Sequence, residues 1–328
     1  MFVRSLQIQN SKFKIQNMVN GILIVDKPEG LTSHDVVARL RRILKTKRIG
    51  HTGTLDPFAT GVLVMLIGKA TRLAQFLDKD KKEYEAVVRF GFETDTGDKT
   101  GELRITNYEL RDFSSDELEN VLKSFRGEIW QTPPMYSAKK VGVKKLYDLA
   151  RNGIEIERKP VKVTIYEIEI IKNQKPKTED RQISDFGLWT LDFGLKVSCS
   201  AGTYIRTLAE DIGKKLKTGA HLLELRRTRA GKFNIEGAVA LEKLEETVIA
   251  NKLAEILIST NEAVSHLPEI KLLNQEVNKI INGVKLNVEL REITGEQFVR
   301  MTDEAENLVA VGIYDAREKT VHPKVVLI

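Results

Sequence analysis

A chain of 328 residues, 41% apolar and 30% charged, is long enough for one large domain with a smaller companion and too ordinary for a disordered or fibrous protein. Its longest apolar run, residues 62–67, falls far short of the roughly 20 residues a bilayer span needs, and its single cysteine, Cys199, excludes an internal disulfide, which points to a reducing, cytoplasmic compartment. The formal charge of +6 is modest, but two acid-free basic runs, over 39–48 and 226–232, are of the kind that draws polyanions such as nucleic acid.

Residues 1–17 are set apart as an N-terminal extension expected to be disordered. They carry Arg4, Lys12 and Lys14, no acid, and the near-repeat Ile8-Gln9-Asn10 and Ile15-Gln16-Asn17, without a signal peptide's apolar core. Residues 21–25 predict a buried strand, and Asp26-Lys27-Pro28-Glu29-Gly30 the turn that ends it. Thr32-Ser33-His34-Asp35 has the spacing of a capping box, and the helix behind it carries Val36, Val37, Leu40, Ile43 and Leu44 on one face. A glycine-punctuated loop over 50–61 leads into strands over 62–67 and 85–90.

Further on, Leu118, Val121, Leu122 and Phe125 make a helical stripe that Gly127 can close. A strand with partial alternation is predicted over 163–170, a polar surface loop over 172–184, and a cleaner strand around Leu195, Val197 and Cys199. Ile205, Leu208, Ala209, Ile212 and Leu216 have the spacing of an amphipathic helix. Past residue 265 the character changes to short β-like runs at 284–288, 298–301, 308–314 and 325–328, a small β-rich C-terminal domain. Strands and helices mix without strict βαβ repetition, so the fold class is α+β with a mixed or antiparallel sheet.

The segment richest in chemistry is Gly50-His51-Thr52-Gly53-Thr54-Leu55-Asp56-Pro57-Phe58-Ala59-Thr60-Gly61-Val62-Leu63. Pro57 biases Asp56 away from helical geometry, and the glycines permit tight turns and close approach of a ligand or another backbone. A carboxylate held on such a loop, just ahead of an anchoring strand, is a plausible catalytic acid. The plainer alternative, a turn aspartate bonding its own backbone, is the commoner fate of an Asp-Pro pair.

The segment is similar to the signature of the TruB branch of the pseudouridine synthases, and it does not stand alone. Residues 21–30 resemble that family's N-terminal motif, Lys82-Glu83-Tyr84-Glu85-Ala86 its tyrosine motif, and residues 131–139 the start of its RNA-gripping insertion. Residues 199–206 resemble its arginine motif, with His221 to Arg227 following at family spacing.

The resemblance implies a pseudouridine synthase catalytic domain over 18–265, an RNA-gripping insertion at about 131–155, and a PUA-like RNA-binding domain over 266–328. It implies conversion of uridine to pseudouridine, at uridine 55 in the T loop of transfer RNA, with no metal, nucleotide or redox cofactor. Asp56 corresponds to the essential carboxylate, which can act on C1′ of the sugar, as in retaining glycosidases, or add to C6 of the base. Arg206 corresponds to the arginine that pairs with it, and Tyr84 to a ring that stacks on the flipped uracil and serves proton transfer at C5. His51 corresponds to a residue filling the space the target base leaves, Tyr204 and Leu225 to pocket residues, and Lys27 to one that orders the catalytic region.

The expected partner is tRNA alone, gripped at the T-arm by the insertion and at the acceptor stem by the C-terminal domain. The enzyme is expected to act as a monomer, away from any membrane. The rival reading is the dyskerin-like catalytic subunit, which shares these motifs but follows a guide RNA. The long insertion after Gln131 and the lack of a lysine-rich C-terminal tail favour a stand-alone enzyme.

Overall fold

The computed structural model describes residues 19–78, 80–104, 113–136, 140–141, 144–145, 156–171, 182–183, 189–290 and 293–328. The N-terminal extension, residues 137–139, 142–143 and 146–155 of the insertion, and most of the 172–184 loop lie outside them.

The chain opens with β1 (Gly21–Lys27), α1 (Ser33–Ile43), β2 (Ile49–Thr52) and β3 (Thr60–Ile67). All of β1 pairs antiparallel with residues 61–67 of β3, and both are covered on both faces, which is why they read as unbroken apolar runs. Ile22, Ile24, Val62, Val64 and Leu66 enter one core, and Leu23, Val25, Leu63, Met65 and Ile67 the other. α1 packs Val36, Val37 and Leu40 on the second face. It starts at the predicted capping box: Asp35 N donates to Thr32 Oγ1 at 3.1 Å and Thr32 N to Asp35 Oδ2 at 2.9 Å.

The sheet continues with β4 (Lys82–Phe90), β5 (Gly127–Gln131), β6 (Val161–Ile170), β7 (Trp189–Cys199), β8 (Ala220–Ala230) and β9 (Val239–Ala240). The spatial order is β9-β1-β3-β8-β4-β7-β6-β5, with β2 beside β3. Along that path only β9–β1 and β8–β3 are parallel, so the predicted α+β class with a mixed sheet is the observed one. β4 alternates strictly between buried and more open residues. Its buried face carries a core covered by α2 (Ser115–Lys123) and α3 (Ile205–Leu216) through Leu118, Leu122, Leu208, Ala209, Ile212 and Leu216.

Three local readings change. Gly127 does not close α2, which ends at Ser124; it opens β5 at a φ of 91°. Residues 49–52, mostly read as loop, pair with β3. β8 shows no strand signal in the sequence, because its register slips between Leu222 and Glu224 and again between Arg227 and Arg229, breaking the period-2 pattern.

Beyond α3 and β9 comes a second sheet of β10 (Glu269–Lys271), β11 (Leu286–Asn287), β12 (Glu296–Thr302), β13 (Leu308–Asp315) and β14 (Thr320–Val326), ordered β10-β12-β13-β14-β11. One face holds its own core of Ile270, Val299, Met301, Val309, Tyr314 and Val321. The other places Leu308, Val311 and Val325 in the core under β1 and β3, and Phe298 meets Phe76 edge-on at 5.2 Å. The β-rich C-terminal unit is thus seated on the large sheet. Among the described residues no helix is long and apolar enough to cross a membrane.

Candidate active site

β3 shares one edge between two partners: its first two residues pair with β8 and its last four with β2. The loop joining β2 to β3 therefore emerges where the sheet divides, and it carries Asp56. At Gly61 the β3 and β8 backbones come so close that a Cβ would lie 2.2 Å from the Arg227 carbonyl oxygen, and φ is +98°, so only glycine fits.

The loop is pinned from both sides. Gly53 N donates to Asp78 Oδ1 at 3.1 Å, and Leu55 N to Ser33 Oγ at 2.9 Å. The Pro57 carbonyl accepts from Gly30 N at 2.9 Å and from Lys27 Nζ at 3.2 Å. Lys27 is fully buried and also donates to Pro28 O at 2.9 Å and Leu31 O at 2.6 Å, tying the turn after β1 to the Asp-Pro loop. Burial pulls its ammonium down to about 8, against the attraction of Asp56.

Asp56 faces Arg206 in the first turn of α3. Nε lies 2.9 Å from Oδ2 and Nη2 3.3 Å from Oδ1, a two-point pairing that fixes the carboxylate's direction. The remaining donors of Arg206 are engaged as well: Nη1 donates to Thr96 O at 2.8 Å, and Nη2 to Tyr136 O at 2.6 Å. A second carboxylate, Asp98, stands 3.6 Å from Nη1. The Arg206 side chain is only 6% exposed whereas Asp56 is 34% exposed, so the pair presents its carboxylate, not its guanidinium, to the open side. Burial pushes the Asp56 carboxyl up from its ordinary value, the Arg206 charge opposes this, and Asp98 adds to it.

Opposite lies a floor built by strand alternation. Lys82 and Tyr84 on β4 and Leu225 and Arg227 on β8 share one face, with Tyr84 directly across from Arg227. Together with Asp56, Tyr204 and Arg206 they line a cavity of about 230 Å³. That is below the roughly 300–1,000 Å³ of sites for drug-sized ligands and suits one planar base. Tyr204, the residue that precedes α3, is clamped through its backbone: its N–H donates to Gln131 Oε1 at 3.0 Å and its carbonyl accepts from Gln131 Nε2 at 3.2 Å. Burial pushes the Tyr84 phenol up, opposed first by the Arg227 charge.

Of the residues singled out in the sequence, Asp56, Arg206, Tyr84, Tyr204 and Leu225 meet at this cavity. Lys27 lies behind the loop. His51, on β2, is half-buried and is not part of the cavity wall. Burial and the nearby Arg227 charge lower its imidazole pKa, which keeps the ring neutral near pH 7.

The two basic runs part company. Arg41, Arg42, Lys45, Lys47 and Arg48 are exposed. In the second run Arg226 is paired with Asp26 at 2.8 Å and Arg227 is almost wholly buried, so it is not a continuous surface patch.

Asp98 carried no functional reading in the sequence, and Arg227 only that of one member of a basic run drawing polyanions, not of a cavity residue. The first had a signal, the turn-forming string Thr94-Asp95-Thr96-Gly97-Asp98-Lys99-Thr100-Gly101. The second had none that distinguishes it from a solvated arginine.

Comparison with known proteins places the chain in one family. Residues 41–205 match the TruB family pseudouridylate synthase N-terminal domain, and residues 206–265 the tRNA pseudouridylate synthase B C-terminal domain. The junction falls in the first turn of α3, so Asp56 and Arg206 lie in different matched segments. The chain is 42% identical over 305 residues to a tRNA pseudouridine synthase B of Bacillus thuringiensis (strain Al Hakam), covering 93% of this chain and 94% of that protein. It is 40% identical over 307 residues to that of Geobacillus thermodenitrificans (strain NG80-2), covering 93% and 98%. Among solved structures, the crystal structure of a Cbf5-Nop10-Gar1 complex is similar at a TM-score of 0.69 and 28% identity, covering 97% of this chain and 87% of the other.

Proposed function

The chain belongs to the TruB family of pseudouridylate synthases, and from that premise we propose that it isomerises uridine 55 in the T loop of transfer RNA, with Asp56 as the catalytic carboxylate. The observation that carries this reading is the Asp56–Arg206 pair at the wall of a base-sized cavity floored by Tyr84.

The target nucleotide leaves the RNA stack and enters the cavity, where Tyr84 offers a ring face and Leu225 an apolar wall. His51, neutral and on the adjacent strand, occupies the space the base vacates. Asp56 assists cleavage of the C1′–N1 bond, whose electron pair goes to the uracil ring. Arg206 holds the carboxylate ionised and aimed. The base turns, C5 bonds to C1′, Tyr84 gives its phenolic proton to water and takes the C5 proton in its place, and N1 takes a proton from water. Nothing is gained or lost overall, and no oxidant, metal or nucleotide enters the balance.

Recognition of the rest of the tRNA rests on three further elements. The insertion over about 131–155 grips the T-arm, and its root at Gln131 and Tyr136 is bonded to Tyr204 and Arg206. The C-terminal sheet acts as a PUA-like module on the acceptor stem. The exposed run beside α1 supplies phosphate contacts. The enzyme works in the cytoplasm as a monomer without a guide RNA.

The test is to map pseudouridine in unmodified tRNA transcripts incubated with the purified protein alone. Product confined to uridine 55, absent with Asp56→Asn although tRNA still binds, is the expected result. No product on any naked tRNA would sink the stand-alone reading.

A further inference from the structure

Arg227 is almost wholly buried, at 1% exposure, yet among the described residues no carboxylate lies within 4.0 Å of its guanidinium. A charge removed from water without a counter-ion persists only where other groups satisfy it. Two are backbone carbonyls: Nε donates to Val62 O at 2.7 Å on β3, and Nη2 to Gly53 O at 2.7 Å in the Asp56 loop. The third neighbour is Tyr84, its direct cross-strand partner on the same sheet face, and both line the cavity.

We propose that Arg227 is a positioning residue for Tyr84: anchored to β3 and the Asp56 loop, its guanidinium holds the phenol oxygen toward the base and stabilises the phenolate that takes the C5 proton. The inference rests on the role given to Tyr84 above. In the step concerned Tyr84, a phenol at rest, first releases its own proton to water; the phenolate then accepts the proton from C5, which regenerates the phenol, and the C5–H electron pair restores the ring's double bond. Arg227 itself neither gains nor loses a proton.

Of the other groups at this cavity, Lys82 stands two residues along the same face of β4 and Arg206 enters from α3, while Cys199 from β7 and Asp56 from the loop bear on the phenol oxygen itself. Both resist ionisation of Tyr84, as does burial. Burial also pushes the Cys199 thiol up to about 11, so it is neutral at working pH. Asp56 is committed to Arg206. Arg227 is the largest charge that opposes burial at this phenol.

The test compares wild type, Tyr84→Phe, Arg227→Gln and Arg227→Lys in single turnovers at saturating tRNA, with uridine or 5-deuterouridine at the target, from pH 6 to 10. For Arg227→Gln the expected loss at pH 7 is on the order of 10- to 100-fold, the scale of one hydrogen bond to a charged group. That loss is recovered as pH rises, and a deuterium isotope effect emerges as C5 deprotonation becomes limiting. Arg227→Lys retains the charge and shows the same signature to a smaller degree. Should Arg227→Gln not fold, Arg227→Lys carries the same readouts.

A loss equal at every pH, with no isotope effect in either variant, would overturn the proposal and leave Arg227 a structural residue. Full activity of Tyr84→Phe would instead overturn the role of Tyr84, an outcome readable without Arg227.

Discussion

The side-chain amide of Gln131 holds the backbone of Tyr204 from both sides, accepting from its N–H at 3.0 Å and donating to its carbonyl at 3.2 Å. Gln131 ends β5 at the root of the insertion, and Tyr204 stands two residues before Arg206. Gln131→Met keeps the volume and removes both bonds. It should destabilise the protein by about 1–3 kcal/mol. It should also slow single turnover roughly tenfold, because α3 then presents Arg206 less accurately to Asp56. Thermal melts together with single-turnover rates check this; a loss of stability with unchanged rate would refute the coupling.

Asp98 is the second carboxylate on Arg206. Its Oδ1 accepts from Thr96 Oγ1 at 3.0 Å, Thr100 N at 2.9 Å and Thr100 Oγ1 at 2.5 Å, which leaves Oδ2 to face Nη1 at 3.6 Å. Asp98→Asn keeps the shape and removes the charge. The rate should fall roughly 10- to 100-fold with tRNA affinity little changed. The Asp98 charge helps push the Asp56 carboxyl up, so its removal should shift the acidic limb of the pH–rate profile to lower pH. An unmoved limb would show that the two carboxylates are not coupled.

Lys27 gives a stability signature. Buried, its ammonium is lowered from 10.5 to about 8. Between those values the unfolded chain binds more protons than the folded one, so the stability contributed by this residue rises with pH across that window, by about 3 kcal/mol at most. Lys27→Met should flatten the slope relative to wild type between pH 8 and pH 10. Paired denaturant melts at the two pH values measure it, and identical slopes in both proteins would count against the lowered ammonium.

The exposed run beside α1 should act through charge alone. Replacing Arg42, Lys45 and Lys47 with Gln should weaken tRNA binding about tenfold at low salt and make its salt dependence shallower, each lost phosphate contact reducing the slope by about 0.7–0.9. The single-turnover rate at saturating tRNA should stay as in wild type. Affinity titrations at several salt concentrations decide the matter; an unchanged slope would remove this face from the RNA interface.

Much of this was legible in the chain. β1 and β3 show as apolar runs because both faces are covered, and α1 and α3 show as stripes because one face is. The Asp56 loop was legible through Pro57 and its glycines. β8 was hidden because two register slips interrupt its alternation, although it forms the cavity floor. Its arginines looked alike in the sequence, yet Arg226 found Asp26 and Arg227 went into the core.

The sequence by itself determined which loop brings a carboxylate to the cavity, because backbone constraints on Asp56 come from its immediate neighbours, and which residues line that cavity with it, because the family's motifs are contiguous. Only the tertiary structure decided what neutralises, orients or isolates each charge. Arg206 reaches Asp56 across 150 positions and Arg227 reaches Val62 across 165. Burial and electrostatic pairing depend on what the fold brings together in space, and no local pattern encodes that.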